Sequence, residues 1–125
     1  VPVPVLFDTT QLALESSISG AAQRHEALAA NIANASTPGY QRVDVDFHGT
    51  LAAAMGSDDP RQALERAGFV TQADRSVGAI RADGGTVDID AESAKLAANA
   101  LEQQAAVSVH KTRTAILRAA IGVAQ

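Results

Sequence analysis

The sequence predicts a mainly α protein: two long terminal helices packed as an antiparallel, coiled-coil-like hairpin, with a small loop and β-hairpin segment between them. Three observations predict it. Apolar residues recur at alternating spacings of four and three from Leu14 to Ala35, which is a heptad seam. A second periodic run extends from Ala94 to Ala120, and the stretch between the two is cut by proline and glycine. Finally, 46% of the residues are hydrophobic but only 3% aromatic, so the apolar content is mostly alanine, which makes good helix and thin core. At 125 residues the chain suits one domain. Its expected parts are 1–36 and 90–125, forming the helical core, and 37–89 as an outer segment.

The elements follow in order. Val1 to Phe7 reads as extended, with Pro2 and Pro4 breaking a short apolar run. It lacks the basic region of a cleavable secretory signal. Asp8, Thr9 or Thr10 can then cap a helix from about Gln11 to Asn34. Leu14, Ile18, Ala21, His25, Leu28, Ile32 and Ala35 form its stripe, and Glu15, Ser16, Gln23, Arg24 and Glu26 the opposite face. Gly20 sits inside it and weakens it by on the order of 1 kcal/mol relative to alanine.

The helix runs into Thr37-Pro38-Gly39-Tyr40. Proline pushes Thr37 out of the helical region, and Pro38-Gly39 supplies the fixed and the positive φ of a type II turn. Asn34 is expected to end the helix in a left-handed conformation. Beyond the turn, Val43, Val45 and Phe47 alternate with Arg42, Asp44 and Asp46, as in an extended segment with one apolar face. Asp59-Pro60 starts a short helix to Arg66, with Gly68 past its end. Asp83-Gly84-Gly85 lies between two short runs in Ala79 to Ile89 and reads as a β-hairpin turn.

The second long helix starts at Asp90 as its N-cap and ends near Ala120. Glu92 near its start and Lys111, Arg113 and Arg118 toward its end suit the helix dipole. Ala94, Ala98, Leu101, Ala105, Val109, Thr112, Ile116 and Ala120 form one stripe. Val107, Leu117 and Ile121 lie off it, which implies a second contact face and more than one neighbour.

Composition and motifs exclude several functions. A net charge of -4 with scattered Lys and Arg offers no field for nucleic acid or an anionic membrane, and no run approaches the roughly 18 apolar residues of a span, so neither nucleic acid nor lipid insertion is expected. Zero cysteines excludes disulfides and thiol chemistry. His25, His48 and His110 have no second ligand at metal spacing; His25 falls in the seam, where packing explains it. Asp44 with Asp46, or Asp88 with Asp90, could pair carboxylates on a strand face, but capping and a solvated face explain them, and nothing nearby supplies further ligands or a nucleophile. Asp83-Gly84-Gly85 lacks the lysine and helix of a phosphate loop, and Ser36 and Thr37 have no adjacent base. The expectation is no enzyme, no cofactor and no metal.

What composition leaves unexplained is Leu28-Ala-Ala-Asn-Ile-Ala-Asn-Ala-Ser-Thr-Pro-Gly-Tyr40. This stretch resembles the N-terminal signature of the bacterial flagellar rod and hook proteins, an axial family whose helix reads A-N-[IL]-A-N and then T-x-G-[YF]. Arg42-Val-Asp-Val-Asp-Phe47, Asp83-Gly-Gly-Thr-Val-Asp-Ile-Asp-Ala-Glu92 and Lys95-Leu-Ala-Ala-Asn-Ala-Leu101 resemble the family's proximal rod members, and the chain lacks the long middle insertions of hook and distal rod proteins. Ser36 departs from the acidic or amide residue usual there, and Glu102-Gln103 from an aromatic-containing pair.

The resemblance implies a structural subunit of the helical tube that transmits torque from the basal-body ring to the hook. Its partners would be other flagellar rod proteins, the basal-body adaptor and membrane ring, and copies of itself. It would be exported without a cleaved signal peptide and reside in the periplasmic rod of the flagellar basal body. The motif residues Leu28, Asn31, Ile32, Asn34, Thr37, Pro38, Gly39 and Tyr40, with Leu101, Val109 and Ile116 on the second helix, would then serve the fold and its subunit contacts. Asn31 and Asn34 can hydrogen-bond across an alanine-rich contact or to the chain leaving the turn; the alternative is that both only end the helix. A competing reading of the whole is a soluble helical-hairpin binding module or flagellar export chaperone.

Overall fold

The computed structural model describes residues 8–74 and 87–122. Helix α1 spans Thr9–Ala33, strand β1 Val43–Val45, helix α2 Phe47–Met55, helix α3 Pro60–Arg66, strand β2 Thr71–Ala73 and helix α4 Ile89–Gly122. The mainly α architecture is as expected: a long helix at each end and a small two-stranded sheet between them. The expected hairpin turn at Asp83-Gly84-Gly85 and the extended Val1 to Phe7 lie outside the described residues.

Aspartates start every helix. Asp8 Oδ1 accepts from the Gln11 N–H at 3.0 Å, Asp46 Oδ1 from the Gly49 N–H at 2.9 Å, and Asp59 Oδ1 from the Gln62 N–H at 3.1 Å with Pro60 opening α3. For α4 the capping residue is Asp88, not Asp90: its Oδ1 accepts from the N–H groups of Asp90 and Ala91 at 3.0 and 3.2 Å. Helix α2 was not expected at all. Because Asp46 caps it, extended backbone stops at Val45, and Asp44 and Asp46 do not share a strand face.

The turn after α1 matches its sequence except at one residue. Gly39 has φ 75°, and the Tyr40 N–H donates to the Thr37 carbonyl at 3.2 Å. Asn34, expected in the left-handed region, instead has φ −104° and ψ 15°. It needs no strain because its own N–H continues the helix to the Ala30 carbonyl.

Helices α1 and α4 pack antiparallel. Asp8 meets Arg113, Gln11 meets His110, Ala21 meets Asn99 and Asn31 meets Glu92, so α1 residue i faces a residue near 121 − i. With 34 residues, α4 is about 51 Å long. The apolar cluster does not lie between these helices. Ala21, Ala27, Val45 and Phe47 form it, with Val43, Leu51 and Phe69 packed against it, so this part of the apolar surface of α1 is buried against the outer segment. Gly20 makes that possible: a Cβ there would lie 2.6 Å from the Cβ of Phe47. The weak helix former is required by the close approach of α2.

The expected α1 stripe needs correction, and the α4 stripe faces outward. On α1 the buried residues are Gly20, Ala21, Ala27, Leu28 and Asn31, while His25 is exposed and Ile18 and Ile32 are half-buried at the shoulder. The helix is turned so that Arg24 and Asn31, not His25 and Ile32, face the outer segment. On α4 the whole stripe from Ala94 to Ala120 is exposed, and the buried residues are Glu92 and Asn99.

Candidate functional site

Two surfaces carry the residues singled out by the sequence, and they are built differently. The first is the end of α1. Leu28 is fully buried, and Asn31, one turn on, is buried with every polar site of its carboxamide used. Its Oδ1 accepts from the Val43 N–H at 2.9 Å and the Tyr40 hydroxyl at 3.1 Å; its Nδ2 donates to the Val43 carbonyl at 2.7 Å and Glu92 Oε2 at 3.1 Å. The side chain thus engages the outward N–H and C=O of Val43 as a neighbouring strand would, while β2 covers the other edge of β1. Asn34 does something simpler. Its Nδ2 donates to the Ala30 carbonyl at 2.9 Å and its Oδ1 accepts from Thr37 Oγ1 at 3.2 Å, so it finishes the helix. Of the two roles weighed for the asparagine pair, each residue takes one. Thr37, Pro38 and Gly39 are exposed; Tyr40 reaches back with its hydroxyl.

Beside Asn31 lies a buried ion cluster. Arg42, 4% exposed, donates to Glu92 Oε1, to Asp74 Oδ2 at 2.6 Å and to Asp44 Oδ2 at 3.1 Å. Arg24 of α1 joins it by donating to Asp44 Oδ1 at 2.9 Å. Burial opposes the charge on Arg42, but bonds from Glu92, Asp44 and Asp74 outweigh it and hold the guanidinium above its usual range. Burial likewise raises the Asp44 carboxyl, and Arg24, the Val45 N–H and Arg42 outweigh that too, leaving it below the usual carboxylate range. Four elements meet here: α1, the β-ribbon, the chain after β2 and α4. Neither Arg42 nor Glu92 was assigned this role from sequence. Arg42 was one member of an alternating run, and Glu92 only a charge suiting a helix dipole.

The second surface is the outward face of α4. Leu101, Val109 and Ile116 are 67%, 52% and 63% exposed, and Ile121, off this row, is exposed as well. Ser108, Val109, Thr112, Arg113, Ile116 and Leu117 line an open apolar groove of about 550 Å³ along it. Val107 and Leu117, off the expected stripe, are half-buried. Ile32 of α1 is half-buried at the shoulder of the helix pair.

Two of the three histidines tie α4 down. His48 bonds Glu102 at 2.7 Å while stacking on Phe47, and His110 bonds Gln11 at 2.8 Å. Glu102, a departure from the axial signature, therefore has a partner of its own. Among the described residues no group of three His, Asp or Glu side chains is placed to hold a metal ion, and no helix is long and apolar enough to cross a membrane. Neither surface juxtaposes a nucleophile with a base. The arrangement offers a rigid polar joint and an uncovered apolar row.

Comparison with known proteins places the chain in a family. The family described as "Flagella basal body rod protein" matches residues 13–41, the helix and turn that carry Asn31. The flagellar basal body rod protein FlgB of Escherichia coli K12 is 41% identical over 103 residues, covering 70% of this chain and 74% of that protein. Its counterpart in Salmonella typhimurium is 38% identical over 104 residues, covering 70% and 75%, and that of Cereibacter sphaeroides 32% over 105 residues, covering 78% and 82%. The chain belongs to the flagellar basal-body rod protein family. Its role is structural, as a rod subunit, and the chaperone alternative is not favoured.

Proposed function

We propose that this chain is a proximal rod subunit that assembles helically with other rod proteins, with the basal-body adaptor and membrane ring, and with copies of itself, and that the row of Leu101, Val109 and Ile116 is its contact with those neighbours. The observation that carries this reading is the exposure of that row on a 34-residue helix whose own buried residues are Glu92 and Asn99. A row of that kind on a lone soluble protein is a liability; covered by a neighbouring helix, each large side chain contributes roughly 1.5 to 3 kcal/mol. Identical subunits joined head to tail with a small rotation give an open filament, the form a rod needs. Ile32, Leu28 and the Thr37-Pro38-Gly39-Tyr40 turn support the row from α1: they fix where the outer segment leaves the helix pair, and Ile32 adds its half-buried shoulder to the contact. Residues 1–36 and 90–125 act as the tube-forming part and 37–89 as the outer part. Export proceeds without a cleaved signal peptide, and the assembled protein resides in the periplasmic rod.

Val109→Glu tests the reading. The variant places a carboxylate in the contact without touching the intrachain polar joint. It should be made and exported but not incorporated, leaving basal bodies without a rod beyond the membrane ring. Normal motility and complete rods by electron microscopy would show that the row is not an assembly surface.

A further inference from the structure

The exposed row can serve its neighbours only if α4 is held at one height along α1, and apolar packing sets that height only weakly: the residues α4 buries fully are Glu92 and Asn99, Leu96, Val107 and Leu117 are half-buried, and alanines stand in nearly every turn. What α4 does present to α1 is a ladder of polar bonds. Asn31 Nδ2 donates to Glu92 Oε2 at 3.1 Å, Asn99 Nδ2 to the Ala21 carbonyl at 2.8 Å, and Arg113 Nη2 to Asp8 Oδ2 at 2.5 Å; the Gln11 amide and the His110 ring meet at 2.8 Å. Glu92, Asn99, Ala106 and Arg113 stand seven residues apart, at one position of the heptad, yet carry a carboxylate, an amide, a methyl and a guanidinium. We propose that Glu92, Asn99 and Arg113 are positioning residues that select the register of the helix pair, and through it the height at which Leu101, Val109 and Ile116 are offered to the next subunit; this second step rests on the assembly role proposed above.

A slip of one heptad shows why the ladder discriminates. Moved one way, Asn99 replaces Glu92 opposite Arg42, Ala106 faces the Ala21 carbonyl, and Ala120 faces Asp8. Moved the other way, the Glu92 carboxylate meets the Ala21 carbonyl, two acceptors with no proton between them, and Ala106 faces Asp8. In either direction the rungs to the Ala21 carbonyl and to Asp8 lose their partners, whereas an alanine-on-alanine contact would be nearly unchanged. The ladder is also not optimised for stability. Asn99 is fully buried and its Oδ1 has no partner among the described residues, an arrangement that an alanine would avoid. Buried polar groups retained at such a cost have their best-attested use in fixing the register of helix pairs.

The experiment uses the absence of cysteine in the chain. Spin labels on Ser19→Cys and Gln104→Cys, both exposed positions on facing helices, report the register as a distance distribution by pulsed electron paramagnetic resonance. A one-heptad slip displaces one label by about 10 Å along the axis. In the otherwise unaltered protein one population is expected. Asn99→Ala with Arg113→Ala makes three successive heptad positions identical; a second population displaced by about 10 Å should appear while helix content is retained, and Asp8→Arg with Arg113→Asp should restore a single one. One unshifted population in the Asn99, Arg113 double variant would overturn the inference, as would failure of the charge swap to restore register in a folded protein. Broadened register with normal rods would leave the register role standing and overturn the proposed link to assembly.

Discussion

Asn31 and Leu101 are opposite in character and in place: the amide is fully buried, and the leucine is 67% exposed. In an ordinary monomer the two would be exchanged. At the end of α1 burial is bought with complete hydrogen bonding, so a polar group becomes a rigid joint between the helix, the turn and the β-ribbon. Along α4 the apolar row has no partner within the described residues, and the helix holds to its own chain through ion pairs and amides. The difference teaches how a thin protein divides its labour. Polar contacts, which depend on direction and partner, set the geometry of the helix pair; the exposed apolar row, whose contacts depend only on area, is the surface proposed above for neighbours. Each half of this contrast can be broken separately.

The largest expected effect is at Arg42. Arg42→Met removes the cation that three carboxylates share and leaves Glu92, 1% exposed, charged without its guanidinium. Breaking a buried pair from one side costs about 3 to 5 kcal/mol, and urea unfolding followed by circular dichroism should show a loss of that order. A loss below about 1 kcal/mol would mean that water enters the cluster and that the joint is softer than its burial indicates.

The two asparagines separate next. Asn31→Ala leaves the Val43 N–H and C=O and the Tyr40 hydroxyl without the carboxamide they share, a loss of about 2 to 3 kcal/mol. Asn34→Ala removes one bond to the Ala30 carbonyl and one to Thr37 at a half-buried helix end, about 0.5 to 1 kcal/mol. Equal effects from the two substitutions would contradict the distinct roles assigned to them.

These residues also mark what the sequence disclosed and what it did not. The long helices, the Pro38-Gly39 turn, the Pro60 helix start and the antiparallel pairing were legible because each rests on local spacing or backbone chemistry. Helix α2 was missed because Phe47 continued an alternating pattern, and period two over so few residues cannot show that Asp46 is a cap. The facing of α1 differs from the one its spacing predicts for one physical reason. An apolar stripe reads as the inward face, whereas half-buried Arg24 and buried Asn31 turn α1 toward the outer segment; on α4 the exposed stripe carries the residues expected in subunit contacts. Arg42 and Glu92 are 50 residues apart, and no local rule pairs them. Glu92 in the first turn of a helix has a sufficient explanation without a partner.

Acid should loosen the joint with a definite sign. The Asp44 carboxyl is held below its ordinary value of 3.8 in the folded chain, so its charged form stabilises the fold above that value, and the contribution is lost as pH falls through the lower folded value. Stability should therefore be insensitive to Asp44 between pH 5 and 8 and decline below about pH 4. Asp44→Asn should reduce that acid slope while lowering stability at neutral pH, because Arg24 and Arg42 lose an anion. An unchanged acid slope in urea titrations at successive pH values would show that Asp44 is not part of the linkage.

The smallest expected effect on the isolated chain is the one that matters most for its role. Leu101→Glu replaces one good helix former by another at a site already in water, so unfolding should change by no more than about 0.5 kcal/mol, and helix content should be preserved. Incorporation into rods should nonetheless fail, because the covered row would then contain a carboxylate with no counterion, and desolvating it costs several kcal/mol against the roughly 1.5 to 3 kcal/mol the leucine would contribute. Unfolding curves of the purified variant, set beside electron microscopy of basal bodies from cells that make it, separate the two quantities. A variant both destabilised and unassembled would mean that Leu101 already has a partner within its own chain, and the division between internal polar contacts and external apolar ones would no longer describe α4. A variant as stable as the parent and absent from the rod would place the apolar free energy of this helix where the contrast with Asn31 puts it, in the contact between subunits.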